Sequence, residues 1–284
     1  MTIHEITASG HEAVLLASSL LQRARLADPR AGIWEAADVQ WWSRRLEEPV
    51  EQHFWLDGDG PVAAVYLSYW KGAWQCDPLL VPGRCEPILD VVWERVLSEA
   101  ARRAPATVEV PVPGHDPQLR ALAEASGLVP GDSSCSSWLD LRERTAASAE
   151  LPDGFQLVDR TQRRDRPHPM LPRNGDHVEE RLRATPLYDP ALDLSIETAD
   201  GRPAGYTLCW FDPVTRVGLI EPVRVEEEFW RRGLARAMLT AGLDRFTVLG
   251  AERAKIGWES DAAGTLYQSL GFQKTSTDVW YRVP

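Results

Sequence analysis

The chain of 284 residues carries a second, altered copy of itself. At an offset near 144, "CDPLLV" (Cys76 to Val81) falls on "IEPVRV" (Ile220 to Val225). At the same offset "TVEVPVPG" falls on "AERAKIGW", and "LAEASGL" (Leu122 to Leu128) on "LYQSLGF" (Leu266 to Phe272). "DGDGPVAAVYL" meets "TADGRPAGYTL" near 141, and "SSWLDL" meets "DVWYRV" near 142. Each match is weak alone, but their shared order and nearly constant spacing argue for a duplicated domain. The boundaries read as residues 1–144 and 154–284, joined by a small, polar linker at 145–153.

Both copies have the same coarse layout. A strand opens each ("TIHEIT"; "GFQLVD"), and a helical region follows. A hairpin comes next, with apolar residues flanking a D-G turn. A third strand, a helix, a strand, a second helix ending in Gly and a last strand complete the copy. In the helix after Gly233, residues Ala235, Met238, Leu239, Gly242, Phe246 and Leu249 share one face at helical spacing. Strands alternating with helices after a hairpin predict an α/β fold with a mixed sheet in each copy.

Charge narrows the function. The net charge is -11, and residues 1–150 hold 13 basic against 22 acidic side chains. Such a surface repels nucleic acid and suits a cationic partner. Cys76, Cys85, Cys135 and Cys209 have no metal-like spacing and read as free thiols in a reducing cytoplasm. No metal motif is present. No apolar run approaches the ~20 residues of a membrane span, and no secretion signal is evident, so a soluble cytoplasmic protein is expected.

One stretch runs against the acidic background. In "EEEFWRRGLARAML" (Glu226 to Leu239), Arg231, Arg232 and Arg236 surround Gly233 and Ala235 at a strand-to-helix junction. A helix start has unpaired N–H groups, small residues let an anion approach them, and the arginines add charge. An ordinary helix start with solvated arginines is the other reading of this stretch. It is neither a Walker loop nor a dinucleotide turn. "WRRGLARAML" after "GLIEPVRV" resembles the pyrophosphate loop of the GNAT N-acetyltransferase superfamily, [QR]-x-x-G-x-[GA], with Trp230 at the first position. "SDAAGTLYQSLGF" resembles that family's N-x-x-A-x-x-L-Y-x-x-x-G-F. Here Ser260 replaces Asn, and Ala263, Leu266, Tyr267, Gly271 and Phe272 match.

The resemblance implies two tandem GNAT folds, each a twisted, mostly antiparallel sheet flanked by helices. The second copy would be active and the first degenerate. It implies acetyl-CoA as co-substrate in an opening beside the fourth strand, Val217 to Val225. Main-chain groups of Val223 and Val225 would pair with its pantetheine arm, Arg224 would be a further cofactor-binding residue, and Arg231, Arg232, Gly233, Leu234, Ala235 and Arg236 would hold the diphosphate. Ser260 and Ala263 would complete the site.

Glu221 is the candidate base, or else a structural or substrate-binding carboxylate. Tyr267 is the candidate acid for the leaving thiolate, or else a packed aromatic. Tyr267 aligns with Ala123, and the basic turn with "GRCEPILDVV" around Arg84, so the first copy lacks both features. The implied reaction is acetyl transfer to an amine, with a small-molecule acceptor, by a monomer or homodimer. A non-catalytic acyl-CoA-binding or scaffold protein is the rival. The acceptor would lie against Arg166 to His177 and Tyr188, with His168 and His177 as substrate ligands or plain surface residues.

Overall fold

The computed structural model describes residues 2–42, 50–70, 72–145, 147 and 150–283. Residues 146, 148 and 149 of the expected linker lie outside the described residues.

The same order of elements occurs twice. The first series is β1 (His4–Ala8), α1 (Gly10–Ala27), α2 (Ala36–Trp42), β2 (Gln52–Asp57), β3 (Gly60–Trp70), β4 (Ala73–Leu80), α3 (Leu89–Arg102), β5 (Val108–Val112), α4 (Pro117–Ala125) and β6 (Val129–Asp140). The second is β7 (Phe155–Asp159), α5 (Leu171–Asn174), α6 (Val178–Arg183), β8 (Asp193–Thr198), β9 (Pro203–Asp212), β10 (Val217–Val225), α7 (Leu234–Leu249), β11 (Arg253–Trp258), α8 (Asp261–Ser269) and β12 (Gln273–Arg282). Both D-G turns close hairpins, β2–β3 and β8–β9, with Gly60 (φ 127) and Gly201 (φ 83) in conformations that favour glycine.

The chain packs as two units, divided at 136/137 and again at 275/276. In the first, the strands are hydrogen-bonded in the order β1-β2-β3-β4-β5-β12-β6. In the second, the order is β6-β11-β10-β9-β8-β7. The β4–β5 and β10–β11 pairs are parallel, and the β1–β2, β2–β3, β3–β4, β7–β8, β8–β9, β9–β10 and β5–β12 pairs are antiparallel. The fold is the mixed, mainly antiparallel α/β type expected from the sequence. The last strand, β12, lies mostly in the first unit, where Val279 pairs with Val112 and Tyr281 with Val110.

Helices cover both faces of the first unit's sheet, which is why β3 is apolar without alternation. One core joins Trp55, Val65, Leu67 and Val110 to Trp93 and Val96 of α3 and Leu119 of α4. The other joins Phe54, Ala64 and Tyr66 to Leu20 and Leu21 of α1 and Val39 of α2. In the second unit Leu194, Cys209, Ile220 and Ile256 pack on Leu239, Leu243 and Phe246 of α7 and Tyr267 of α8. A Cβ on Gly218 would stand 2.4 Å from the Phe246 ring, so this glycine sets how closely α7 meets β10.

The helix after Gly233 buries more than the single stripe read from the sequence. Leu234, Ala237, Ala241 and Leu243 are buried beside Met238, Leu239, Gly242 and Phe246. Ala235 is half-buried, and Leu249 is 44% exposed in the last turn before Gly250 ends the helix. Among the described residues no helix is long and apolar enough to cross a membrane. Nor, among them, does any group of three or more His, Cys, Asp and Glu stand ready to hold a metal.

Candidate active site

The site begins with a defect in β10. Ile220 pairs with Cys209, but Val223 pairs with Thr207, so three steps on β10 match two on β9. One extra residue is therefore inserted at Glu221–Pro222, a β-bulge, and the peptide between them is cis. The Trp210 indole N–H donates to the Glu221 carbonyl at 2.8 Å and anchors the bulge from β9. Nothing in the sequence marked Trp210 for this task.

Beyond the bulge β10 loses one neighbour. It pairs with β11 only over Val217–Leu219. On its other side the Glu226 N–H donates to the Ala204 carbonyl at 2.9 Å. Main-chain groups alternate in direction along a strand, so Arg224 also faces β9. Val223 and Val225 then turn their N–H and C=O groups toward the gap left by β11. The Trp230 indole N–H donates to the Val225 carbonyl at 2.8 Å, a contact made by the residue that departs from the [QR] position of the motif.

The basic loop follows. A short 3-10 turn, Glu227–Phe229, leads to Arg231 and Gly233, both at positive φ (62 and 78), and Gly233 opens α7. No side chain caps this helix start, so the first-turn N–H groups, including those of Leu234, Ala235 and Arg236, keep their capacity for an acceptor. A Cβ on Gly233 would meet nothing within 4 Å, so the space before the helix is open.

Charge there is sorted by distant partners. Arg173 holds Glu226 at 2.7 Å, and Arg202 holds Glu228 at 3.1 Å. The Arg232 guanidinium lies over Phe229 and Phe155, 5.6 and 6.0 Å from the ring centres. Arg236 donates to Ser269 on α8 at 2.6 Å. Arg231 is exposed and pairs with no acid among the described residues. Two of the three acids preceding the loop are thus neutralised from outside it, and the arginines keep a positive field at the helix start.

Tyr267 comes from α8, whose first turn is capped by Ser260. The Ser260 hydroxyl accepts from the Ala263 N–H at 3.4 Å, the task Asn also performs at such a position. Tyr267 is buried and packs near Phe272, with ring centres 6.3 Å apart. Its hydroxyl makes no hydrogen bond within the described residues. Burial, with a contribution from the Glu221 carboxylate, pushes its pKa up to about 12. The carboxylate itself is exposed on β10. The bulge, the helix start and Tyr267 are therefore close in one unit.

The expected acceptor segment forms a cavity of about 280 Å³ lined by Arg160, Arg163, Arg166, His168, Asp193 and Glu197, among others. His168 is not a surface residue. Its Nδ1 accepts from the Met170 N–H at 3.1 Å, so Nε2 carries the proton donated to Asp193 at 2.8 Å. The Tyr188 hydroxyl donates to the same carboxylate oxygen at 2.7 Å. Arg163 and Arg166 both reach the buried Glu197, at 2.9 and 3.4 Å. His177 is exposed, 3.4 Å from Glu180.

The parallel strands β10 and β11 thus part beside a bulge and an uncapped helix start. Residues 155–272 match the family model described as Acetyltransferase (GNAT) family, and the chain as a whole has a tandem-GNAT fold. The family uses an acyl-CoA as donor. A mycothiol acetyltransferase of Clavibacter michiganensis subsp. michiganensis (strain NCPPB 382) is 29% identical over 244 residues, 78% of this chain and 76% of that one. Another, from Kineococcus radiotolerans, is 35% identical over 108 residues, 37% of this chain and 34% of that one. The tandem GNAT protein from the clavulanic acid biosynthesis pathway superposes with a TM-score of 0.70 over 99% of this chain and 98% of its own, at 19% identity, a likeness of fold.

Proposed function

We propose that the second unit moves the acetyl group of acetyl-CoA to the amine of a small molecule by direct attack in a ternary complex. The observation that carries this reading is the outward turn of Val223 and Val225 into the gap beside β11, between the open start of α7 and Tyr267. Val223 and Val225 would pair with the pantetheine arm as an added strand does, and Trp230 would share the Val225 carbonyl. The N–H groups from Leu234 to Arg236, with Arg231 and Arg232, would hold the diphosphate. No side chain fills the space in front of Gly233, which fits a group of that size.

Glu221 takes the proton of the attacking amine, directly or through water. The Val223 N–H stabilises the negative charge that develops on the thioester oxygen. Tyr267 gives its proton to the leaving sulfur. Its raised pKa keeps it protonated at neutral pH, as that step requires. The carbon–sulfur bond breaks as the carbon–nitrogen bond forms, so one thiol appears per amide. The similarity to proteins named mycothiol acetyltransferase favours a small-molecule acceptor over a protein one.

The first unit supports the fold rather than this chemistry. Its counterpart of the basic turn has Arg84 paired to Asp57 and Asp59, and Ala123 stands buried in place of Tyr267. The test is thiol release from acetyl-CoA across an amine panel, with Tyr267→Phe as control. Amine-dependent thiol release that falls in the variant supports transfer. Tight acetyl-CoA binding without thiol release from any amine supports a non-catalytic binder.

A further inference from the structure

We propose that the first unit holds a binding site for a small organic ammonium ion, formed by Asp77 and the indoles of Trp34, Trp42 and Trp280. Asp77 is the repeat counterpart of Glu221, but its setting differs. β4 pairs with β5 only at Trp74 and Gln75, so the strands part just before Asp77, as β10 and β11 do before Glu221. Asp77 is 2% exposed. One carboxylate oxygen accepts from the Trp34 indole N–H at 2.7 Å, and the other, Oδ2, is buried with no hydrogen-bond partner.

The aromatic groups gather at Trp34. Trp42 meets it edge-on, with ring centres 4.4 Å apart, and Trp280 of β12 lies 6.0 Å away. All three are only half-buried, so the cluster opens to solvent. An indole cluster around Trp34, whose N–H holds one oxygen of a carboxylate with a second, unpartnered acceptor, suits a cation that also donates hydrogen bonds, which describes an ammonium group. A neutral carboxyl fits less well, because the polar atom facing it, the Trp34 N–H, is a donor and offers its proton no acceptor.

Among the described residues no cation pairs with Asp77. Burial raises its pKa to about 7, and the Trp34 hydrogen bond opposes this only in part. The cations of α1 face their own acids, Arg25 on Glu35 and Arg23 on Asp57. The titratable neighbour in register is Tyr66 of β3. Cys76, the preceding residue on β4, faces the other side, with Arg103 and Glu99 near it. No catalysis is assigned to this site, since neither the basic turn nor the tyrosine has a counterpart there.

Calorimetric titration of the full chain with propylammonium chloride at pH 8, with propanol as neutral control, tests the site. Saturable binding to one site is expected, with none for propanol. Asp77→Asn should weaken it at least about tenfold, and Trp34→Phe severalfold. Glu221→Gln, which removes the other carboxylate able to take an amine, should leave it unchanged. Lowering the pH to 6 should weaken binding by about tenfold as Asp77 takes up a proton. No saturable binding, equal binding of propanol, or full binding by Asp77→Asn would overturn the proposal. If Asp77→Asn fails to fold, carbon NMR of the wild-type carboxyl decides. Its pKa must fall when propylammonium is added, and a constant pKa overturns the site.

Discussion

The Tyr267 hydroxyl is near enough to the Glu221 carboxylate for that charge to add to burial in raising the phenol pKa to about 12. Two groups from different elements, α8 and the bulge of β10, are thus electrostatically linked. Tyr267→Phe is expected to lower kcat by about 10²-fold or more, the usual scale for one proton donor, while the acetyl-CoA dissociation constant stays within about twofold. Steady-state kinetics with a parallel calorimetric titration checks this. Unchanged kcat would remove Tyr267 from the reaction.

The same link sets a pH dependence. The phenol donates only while protonated, that is, below its pKa, so its contribution should persist through pH 10 and be lost only toward 12. Glu221→Gln removes a charge that opposes ionisation, so the Tyr267 pKa should fall in that variant. Ultraviolet difference titration against Tyr267→Phe reads the shift. A rise or no change would place the carboxylate elsewhere in solution.

Gly233 separates backbone from site. Its φ of 78 costs a residue with a side chain about 1 kcal/mol, but a Cβ there meets nothing within 4 Å. Gly233→Ala should fold with slightly lower stability. Gly233→Glu should fold similarly and lose acetyl-CoA affinity by at least about 100-fold, through bulk and like charge in the diphosphate space. Thermal melts and calorimetry together distinguish loss of site from loss of fold.

Gly218 makes the opposite case. Its Cβ would lie 2.4 Å from the Phe246 ring, inside a packed core. Gly218→Ala should cost about 1–3 kcal/mol of stability, read as a lower midpoint in urea. Phe246→Leu in the same chain should recover part of that loss.

Asp77 gives a stability test independent of any ligand. Its pKa is raised from 3.8 to about 7 in the folded state, so the native protein holds more protons than the unfolded chain between those values. Its contribution to stability therefore falls as pH rises through that window, by up to a few kcal/mol at about 1.4 kcal/mol per unit. Asp77→Asn cannot titrate, so its stability relative to wild type should improve from pH 5 to pH 8. A constant difference across that range would show that Asp77 titrates normally.

Much of this was legible because local chemistry and fold agree. The D-G turns and the Gly233 junction each encode their structure over a few residues, and the repeat doubled the hairpin signal. Pro222 cannot donate in a ladder, so the break in β10 has a local cause in the sequence, whereas the bulge register has none. What stayed hidden depends on contacts distant in sequence. Trp210 and Trp230 hold main-chain carbonyls of β10, yet nothing around them in sequence announces a hydrogen bond. His168 lies in a Pro-rich stretch that reads as surface, but Asp193 and Tyr188 draw it inside. Leu249 fits the helical period yet ends exposed, because periodicity does not say where a helix outruns its neighbours.

The most direct measurement is a calorimetric titration of the full chain with acetyl-CoA, run on wild type and on Gly233→Glu. One bound molecule per chain in the wild type, and none in the variant, is expected if the start of α7 in the second unit grips the diphosphate. Two molecules per chain, or undiminished binding in Gly233→Glu, would contradict it.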